Sequence, residues 1–189
     1  MKRSRYAVVT TGLMALSACA PSPCDRSLPS SQVDGSVQLL DCWAELAPTT
    51  AGQMPTSGSA TYRGYSLSII DEGGANEDGL ISDATLTANF AGNSIGGTLS
   101  NFSSDSHGGL SGTLAMTGGT ISGPAYSGAT VSGVLTDVAT TDTLTVGASS
   151  SGAFFGNQGQ LVLGDISGTA TWSNIGVGQT IEGFIVAQD

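Results

Sequence analysis

The sequence predicts an all-β protein, a single antiparallel barrel of about eight strands following a signal peptide and a short tether. Two observations carry this prediction. Apolar residues recur with a period of two from about residue 56 to the end, the spacing of half-buried strands. Charged residues make up only 11% of the 189 residues while glycines number 28, a composition of many turns and few helices. Short strands at regular spacing with no credible long helix lead to a sandwich or an up-and-down barrel. The chain divides into residues 1–18, a signal peptide, 19–55, a lipidated tether with a disulfide loop, and 56–189, the barrel.

Met1 to Cys19 opens with Lys2, Arg3 and Arg5 and continues with an apolar run from Tyr6 to Leu16, too short to remain as a membrane span. Leu16-Ser17-Ala18-Cys19 then resembles the lipobox of bacterial lipoproteins, where cleavage precedes a cysteine that becomes lipidated. That resemblance implies acyl chains on Cys19, enough for stable anchoring. Ala20 is not the aspartate that marks inner-membrane retention, so the expected location is the bacterial outer membrane, at the cell surface.

Ala20 to Pro55 carries five prolines among small polar residues and reads as a tether. Within it, Val37, Leu40, Trp43 and Leu46 are spaced at three and suit a few turns of helix over Ser36–Leu46. Cys24 and Cys42 would meet oxidising conditions after export, and a disulfide between them is the expected state. Two cysteines with no nearby histidine do not make a metal site.

In the last two thirds, Ser57–Ile70 alternates on both faces, with Tyr65, Leu67 and Ile69 on one and Ala60, Tyr62 and Gly64 on the other. Ser82–Phe90 and Ser94–Phe102 flank Ala91-Gly92-Asn93, a hairpin turn. A strand through Leu110–Met116 is expected to end at a Gly118-Gly119 turn, and Thr120–Leu135 to be extended but broken near Gly123-Pro124. Asp137–Gly147, Gly152–Phe155, Leu161–Trp172 and a strand through Ile181, Phe184 and Val186 complete the series.

Charge narrows the partners. Beyond Cys19 there are two basic residues, Arg26 and Arg63, against 15 acidic ones, a net charge of −13. Such a surface does not neutralise phosphates, which excludes nucleic acid. Gly92-Asn93-Ser94-Ile95-Gly96 matches the G-x-S-x-G pattern of hydrolases, but a strand rather than a helix is expected after it. His107, the only histidine, stands beside Asp105 in a polar loop, so a His-dependent hydrolase is a remote third reading. Asp71 to Gly79 groups four acids in a glycine-rich stretch that fits no calcium-loop spacing and reads as a solvated hairpin loop. Tyr62, Tyr65 and Tyr126 suit either exterior contacts or the core.

Pro55 to Gly64 resembles the first barrel strand of transferrin-binding protein B-like surface lipoproteins, a group that includes the factor H-binding proteins. Leu86-Thr87-Ala88-Asn89-Phe90 with Ile95-Gly96-Gly97-Thr98-Leu99 is similar to that family's next hairpin, and Gly152-Ala153-Phe154-Phe155-Gly156 to its Gly-x-aromatic-aromatic-Gly signature. After Gly156 the two part, because Asn157, Gly159, Gln160 and Leu163-Gly164 stand where the family usually has Pro, Ala, Glu and a Gly-Gly pair. The resemblance implies a surface-exposed lipoprotein barrel, a non-catalytic binding module for a protein or an iron- or haem-related ligand, with no cofactor. The alternative is a structural envelope lipoprotein without a dedicated ligand.

Overall fold

A computed structural model describes Cys24 and residues 27–71 and 77–189; the stretch expected to be a signal peptide and Cys19 lie outside the described residues. Eight strands form one closed antiparallel barrel in chain order. They are β1 (Ser59–Asp71), β2 (Glu77–Asn89), β3 (Ser94–Ser104), β4 (Gly108–Ser122), β5 (Ala125–Asp137), β6 (Thr143–Phe155), β7 (Leu161–Trp172) and β8 (Gln179–Gln188). Pairing of Arg63–Asp71 in β1 with Thr180–Gln188 in β8 closes the ring and leaves no free edge.

Strict alternation sends one set of side chains inward, where they fill the barrel. Phe154 sits among the rings of Tyr62, Phe90 and Tyr126, with centroids 5.9, 6.1 and 6.5 Å away. Tyr62 and Tyr126, each with a polar tip, satisfy it internally: the Tyr62 hydroxyl donates to the Gly159 carbonyl at 2.7 Å, and the Tyr126 hydroxyl pairs with Ser150 at 2.9 Å. Space for the Tyr126 ring comes from Gly164 and Gly152 on β7 and β6, where a Cβ would fall on that ring. Core glycines here are a packing requirement.

Two expected boundaries move. Gly118-Gly119 is no turn; β4 runs through it, with Gly118 and its neighbour across the sheet, Gly128, both at positive φ, and the register shifts there between β3 and β4 and between β5 and β6. A bulge there bends the wall of the small barrel, and the chain reverses later, at Gly123-Pro124. Gly152–Phe155 is the end of β6 rather than a separate strand.

Among the described residues one α-helix, α1 (Gln32–Glu45), lies against the outside of the barrel. Its N-cap Ser31 accepts the Asp34 N–H, and Pro48 follows its end. The buried face carries Gly35, Ser36, Leu39 and Cys42, so Val37 and Trp43 of the three-spaced set point to solvent. Two constraints turn it this way. Cys42 is bonded to Cys24, with Cα atoms 5.0 Å apart, and Gly35 lets the helix settle on the Tyr65 ring. After the helix, the Thr49 N–H donates to Phe154 O at 3.0 Å and the Gly156 N–H to Ala47 O at 2.9 Å, fastening this segment to the end of β6. Much of the stretch read as a tether is therefore packed on the barrel.

Candidate functional site

The outer wall of an isolated barrel meets water, and most of this one is built for it. On β4 to β7 the outward positions are mainly Ser and Thr, as in Thr113, Thr130, Ser132, Thr145, Ser149, Ser167 and Thr169, all exposed. A strand facing hydrocarbon would place apolar residues there instead. The strip formed by β8, β1 and β2 is different. Register puts Val186 beside Tyr65, Phe184 beside Leu67 and Leu67 beside Ile81, one apolar row after another on the outer face.

Helix α1 covers the first part of that strip. Leu39 and Cys42 bury Tyr65, Val186 and Leu161, with Phe155 at the edge, its ring set edge-on to Trp43 at 5.9 Å. The N-terminal end of the helix is pinned by Gln32, whose amide donates to Asp83 Oδ1 and to the Asn101 carbonyl, both at 2.9 Å. Asn101 in turn donates to Asp83 Oδ2 at 2.6 Å. Tyr65 donates to the Pro29 carbonyl at 3.1 Å, and burial, with Asp83 nearby, raises its phenol above the ordinary value.

Beyond the helix no described residue covers the strip. Leu67, Ile69, Ile81 and Phe184, with Val33 of α1 as one wall, line an open groove of about 780 Å³. Ile69 is 51% and Val33 60% exposed, large apolar side chains left in water. Around them stand carboxylates: Glu182 is in register with Ile69, Asp71 with Glu77, and Asp105 lies over Gly79. An apolar floor with an acidic rim is a surface that can accept another molecule.

His107 and Asp78 belong to the other polar feature, at the barrel end where β2 and β4 begin. The His107 ring stacks on Trp172, centroids 4.1 Å apart, and its Nδ1 is 3.2 Å from Asp137 Oδ2. The Asp137 carboxylate accepts the Ala139 N–H at 2.7 Å and the Thr140 hydroxyl at 2.8 Å; these bonds, and then His107, hold it below the ordinary carboxylate range. Among the described residues no hydroxyl bonds to the His107 ring, so no nucleophile–base pair is formed. Ser94 of the G-x-S-x-G match opens β3 from a hairpin turn, without the strand-to-helix elbow.

Part of the acidic stretch, residues 72–76, lies outside the described residues, and Glu77 to Gly79 already belong to β2. Asp78 points inward and is buried, accepting the Ser104 hydroxyl at 2.7 Å and the Ser106 N–H at 3.0 Å. Its role is to close the barrel end. Among the described residues no group of three metal-ligating side chains comes together. Tyr62 and Tyr126 are core residues and Tyr65 lies under α1, so none of the three presents its ring to a ligand. The groove was missed in the sequence, although its signal was there: a strand apolar on both faces needs a cover on both.

Comparison with known proteins agrees with the fold. Residues 54–179 match the family model of the C-lobe and N-lobe β-barrels of Tf-binding protein B. The intact Ap-TbpB structure, with N and C lobes, superposes with a TM-score of 0.51 at 14% identity, over 75% of this chain and 28% of that one. A double mutant of transferrin-binding protein B from Haemophilus parasuis Hp5 gives 0.49 at 17% identity over 75% and 27%. The isotype 1 protein from serogroup B Neisseria meningitidis gives 0.44 at 17% over 75% and 28%. The chain thus spans less than a third of the length of these structures, and no curated protein matches it. By fold and by the family match over most of its length, this chain belongs to the transferrin-binding protein B barrel family.

Proposed function

We propose that the chain is a non-catalytic binding module, anchored in the bacterial outer membrane by acyl chains on Cys19 and exposed at the cell surface, that engages a protein ligand on the outside of its barrel. The disulfide between Cys24 and Cys42 holds α1 beside the binding surface. The observation that carries this reading is the uncovered apolar strip on an otherwise Ser/Thr wall. Exposed apolar surface of this kind costs solubility and persists where a partner covers it.

A ligand inside the barrel is ruled out by packing, since inward side chains from Tyr62 to Ile185 fill it. A haem-related ligand is also poorly served, because the one histidine is engaged by Asp137 and Trp172. A protein surface is the better match to a long apolar groove. Palmitate labelling of growing cells, compared between the wild type and Cys19→Ala, tests the anchor; equal labelling would remove it. Protease shaving of intact cells tests exposure. Affinity capture by the wild type but not by Ile69→Asp tests the groove, and equal capture by both, or capture of nothing, would favour a structural lipoprotein without a ligand.

A further inference from the structure

A second apolar patch lies at the other end of α1, and the chain's own connectivity sets what it faces. We infer that Trp43 to Pro48, the last residues of α1 and the turn after it, rest on the bilayer that holds Cys19, so that the barrel sits on the lipid surface with its groove at the far end of the helix. This rests on the acylated Cys19 of the reading above and adds a docking surface and an orientation.

Of Trp43 to Pro48 only Glu45 is charged. Trp43 is 36% exposed, Ala44, Ala47 and Pro48 are exposed, and Leu46 and Phe155 are half-buried at the edge of the cluster under the helix. The outer wall of β4 to β7, by contrast, is mainly Ser and Thr. An indole at the rim of an apolar patch settles at the boundary between headgroups and acyl chains, while Asp41 and Glu45 at its margin keep their charges in headgroup water.

Four residues, Ala20 to Pro23, separate Cys19 from Cys24, so the path between the two cysteines is at most about 18 Å even when fully extended. Cys24 is bonded to Cys42, with Cα atoms 5.0 Å apart, and Trp43 is the next residue. The disulfide therefore ties the patch itself, rather than the start of the helix, to the anchor. Without it the route from Cys19 to Gln32 would be thirteen residues, about 47 Å extended. A contact made over so short a link is intramolecular, and a patch too small to bind lipid alone is held there at high effective concentration. Val33, one wall of the groove, stands ten residues before Trp43, about 15 Å along the helix axis, which keeps the groove clear of the surface.

The test uses the full acylated chain in phosphatidylcholine vesicles whose acyl chains are brominated near the glycerol, with unbrominated vesicles as the reference. The chain has two tryptophans, and Trp172 is 0% exposed inside the barrel, so quenching by bromine reads Trp43. The wild type should lose emission in the brominated vesicles, and Trp43→Phe should lose none. Ala44→Asp with Ala47→Asp, at two exposed positions, should still float with the vesicles and keep the dichroism of the barrel while most of the quenching disappears.

A wild type that floats without being quenched, or equal quenching in the wild type and the aspartate pair, would overturn the docking and leave the anchor standing. A wild type that does not float would remove the anchor, and the docking with it. Trp43 emission that shifts with the number of chains per vesicle but not with bromine would assign the patch to a second copy and also overturn the inference.

Discussion

Truncating two adjacent phenylalanines one at a time should give very unequal results. Phe154 and Phe155 are neighbours on β6, and alternation sends them to opposite sides of the barrel wall. Phe154 is 0% exposed and contacts three aromatic rings at 5.9 to 6.5 Å. Its backbone is held independently, by its N–H to Pro124 O and its carbonyl to the Thr49 N–H, so Phe154→Ala leaves a cavity without freeing the chain. A core Phe→Ala change of this kind costs about 3–5 kcal/mol, part of it from ring contacts worth about 0.5–1.5 kcal/mol each.

Phe155 is half-buried at the edge of the apolar cluster under α1, its ring edge-on to Trp43 at 5.9 Å, so Phe155→Ala should cost about 1 kcal/mol and loosen the helix rather than the barrel. Phe154→Leu, which keeps most of the volume, should cost under about 2 kcal/mol. Equilibrium urea unfolding followed by circular dichroism gives the three values. In a chain of this size the Phe154→Ala loss corresponds to a fall in Tm on the order of 10 °C. If Phe155→Ala cost as much as Phe154→Ala, the assignment of the two rings to opposite faces would be wrong.

Three further outcomes follow from the same geometry. Replacing Cys24 and Cys42 by serine removes a loop constraint worth about 3 kcal/mol; the barrel dichroism should persist while Trp43 fluorescence shifts at lower urea than the Trp172 transition, and coincident transitions would contradict this. Gly164→Ala should cost about 1–3 kcal/mol because its methyl group falls on the Tyr126 hydroxyl, and the cost should shrink in a Tyr126→Leu background; additive losses would refute the contact. The Asp137 carboxylate, held below its ordinary pKa by the Ala139 N–H, Thr140 and His107, contributes stability that is complete above the ordinary carboxylate value and lost as pH falls through the lowered one. Urea midpoints measured between about pH 2 and 6 should therefore slope less in Asp137→Asn than in the wild type.

The period-two pattern was enough for the barrel, and for setting Tyr62 and Tyr65 on opposite faces of β1, because alternation is a local property of the strand; which face is the core needed the closed barrel. Positions of Leu161–Trp172 and of the Ala91–Asn93 turn were equally local and agree with β7 and the β2–β3 hairpin. Gly118-Gly119 misled because glycine serves both a turn and a bulge, and only the register of β4 against β3 selects the bulge. The groove was hidden for a related reason. Leu67 and Ile69 could be read as outward-facing, but whether α1 lies over them depends on where Cys42 and Gly35 anchor that helix, more than twenty residues away in sequence.

By itself the sequence determined what depends on neighbours along the chain: the basic start and apolar run with the lipobox likeness at Cys19, the alternation of strand faces, the acidity and the family resemblance. Tertiary structure decided what depends on residues brought together from afar. Closure of β8 on β1 sets the apolar rows side by side, and the angle of α1 leaves the row at Leu67 and Ile69 open between Glu182 and Glu77. Burial is a property of the assembled wall, and no residue's own identity shows whether a helix will come to rest on it.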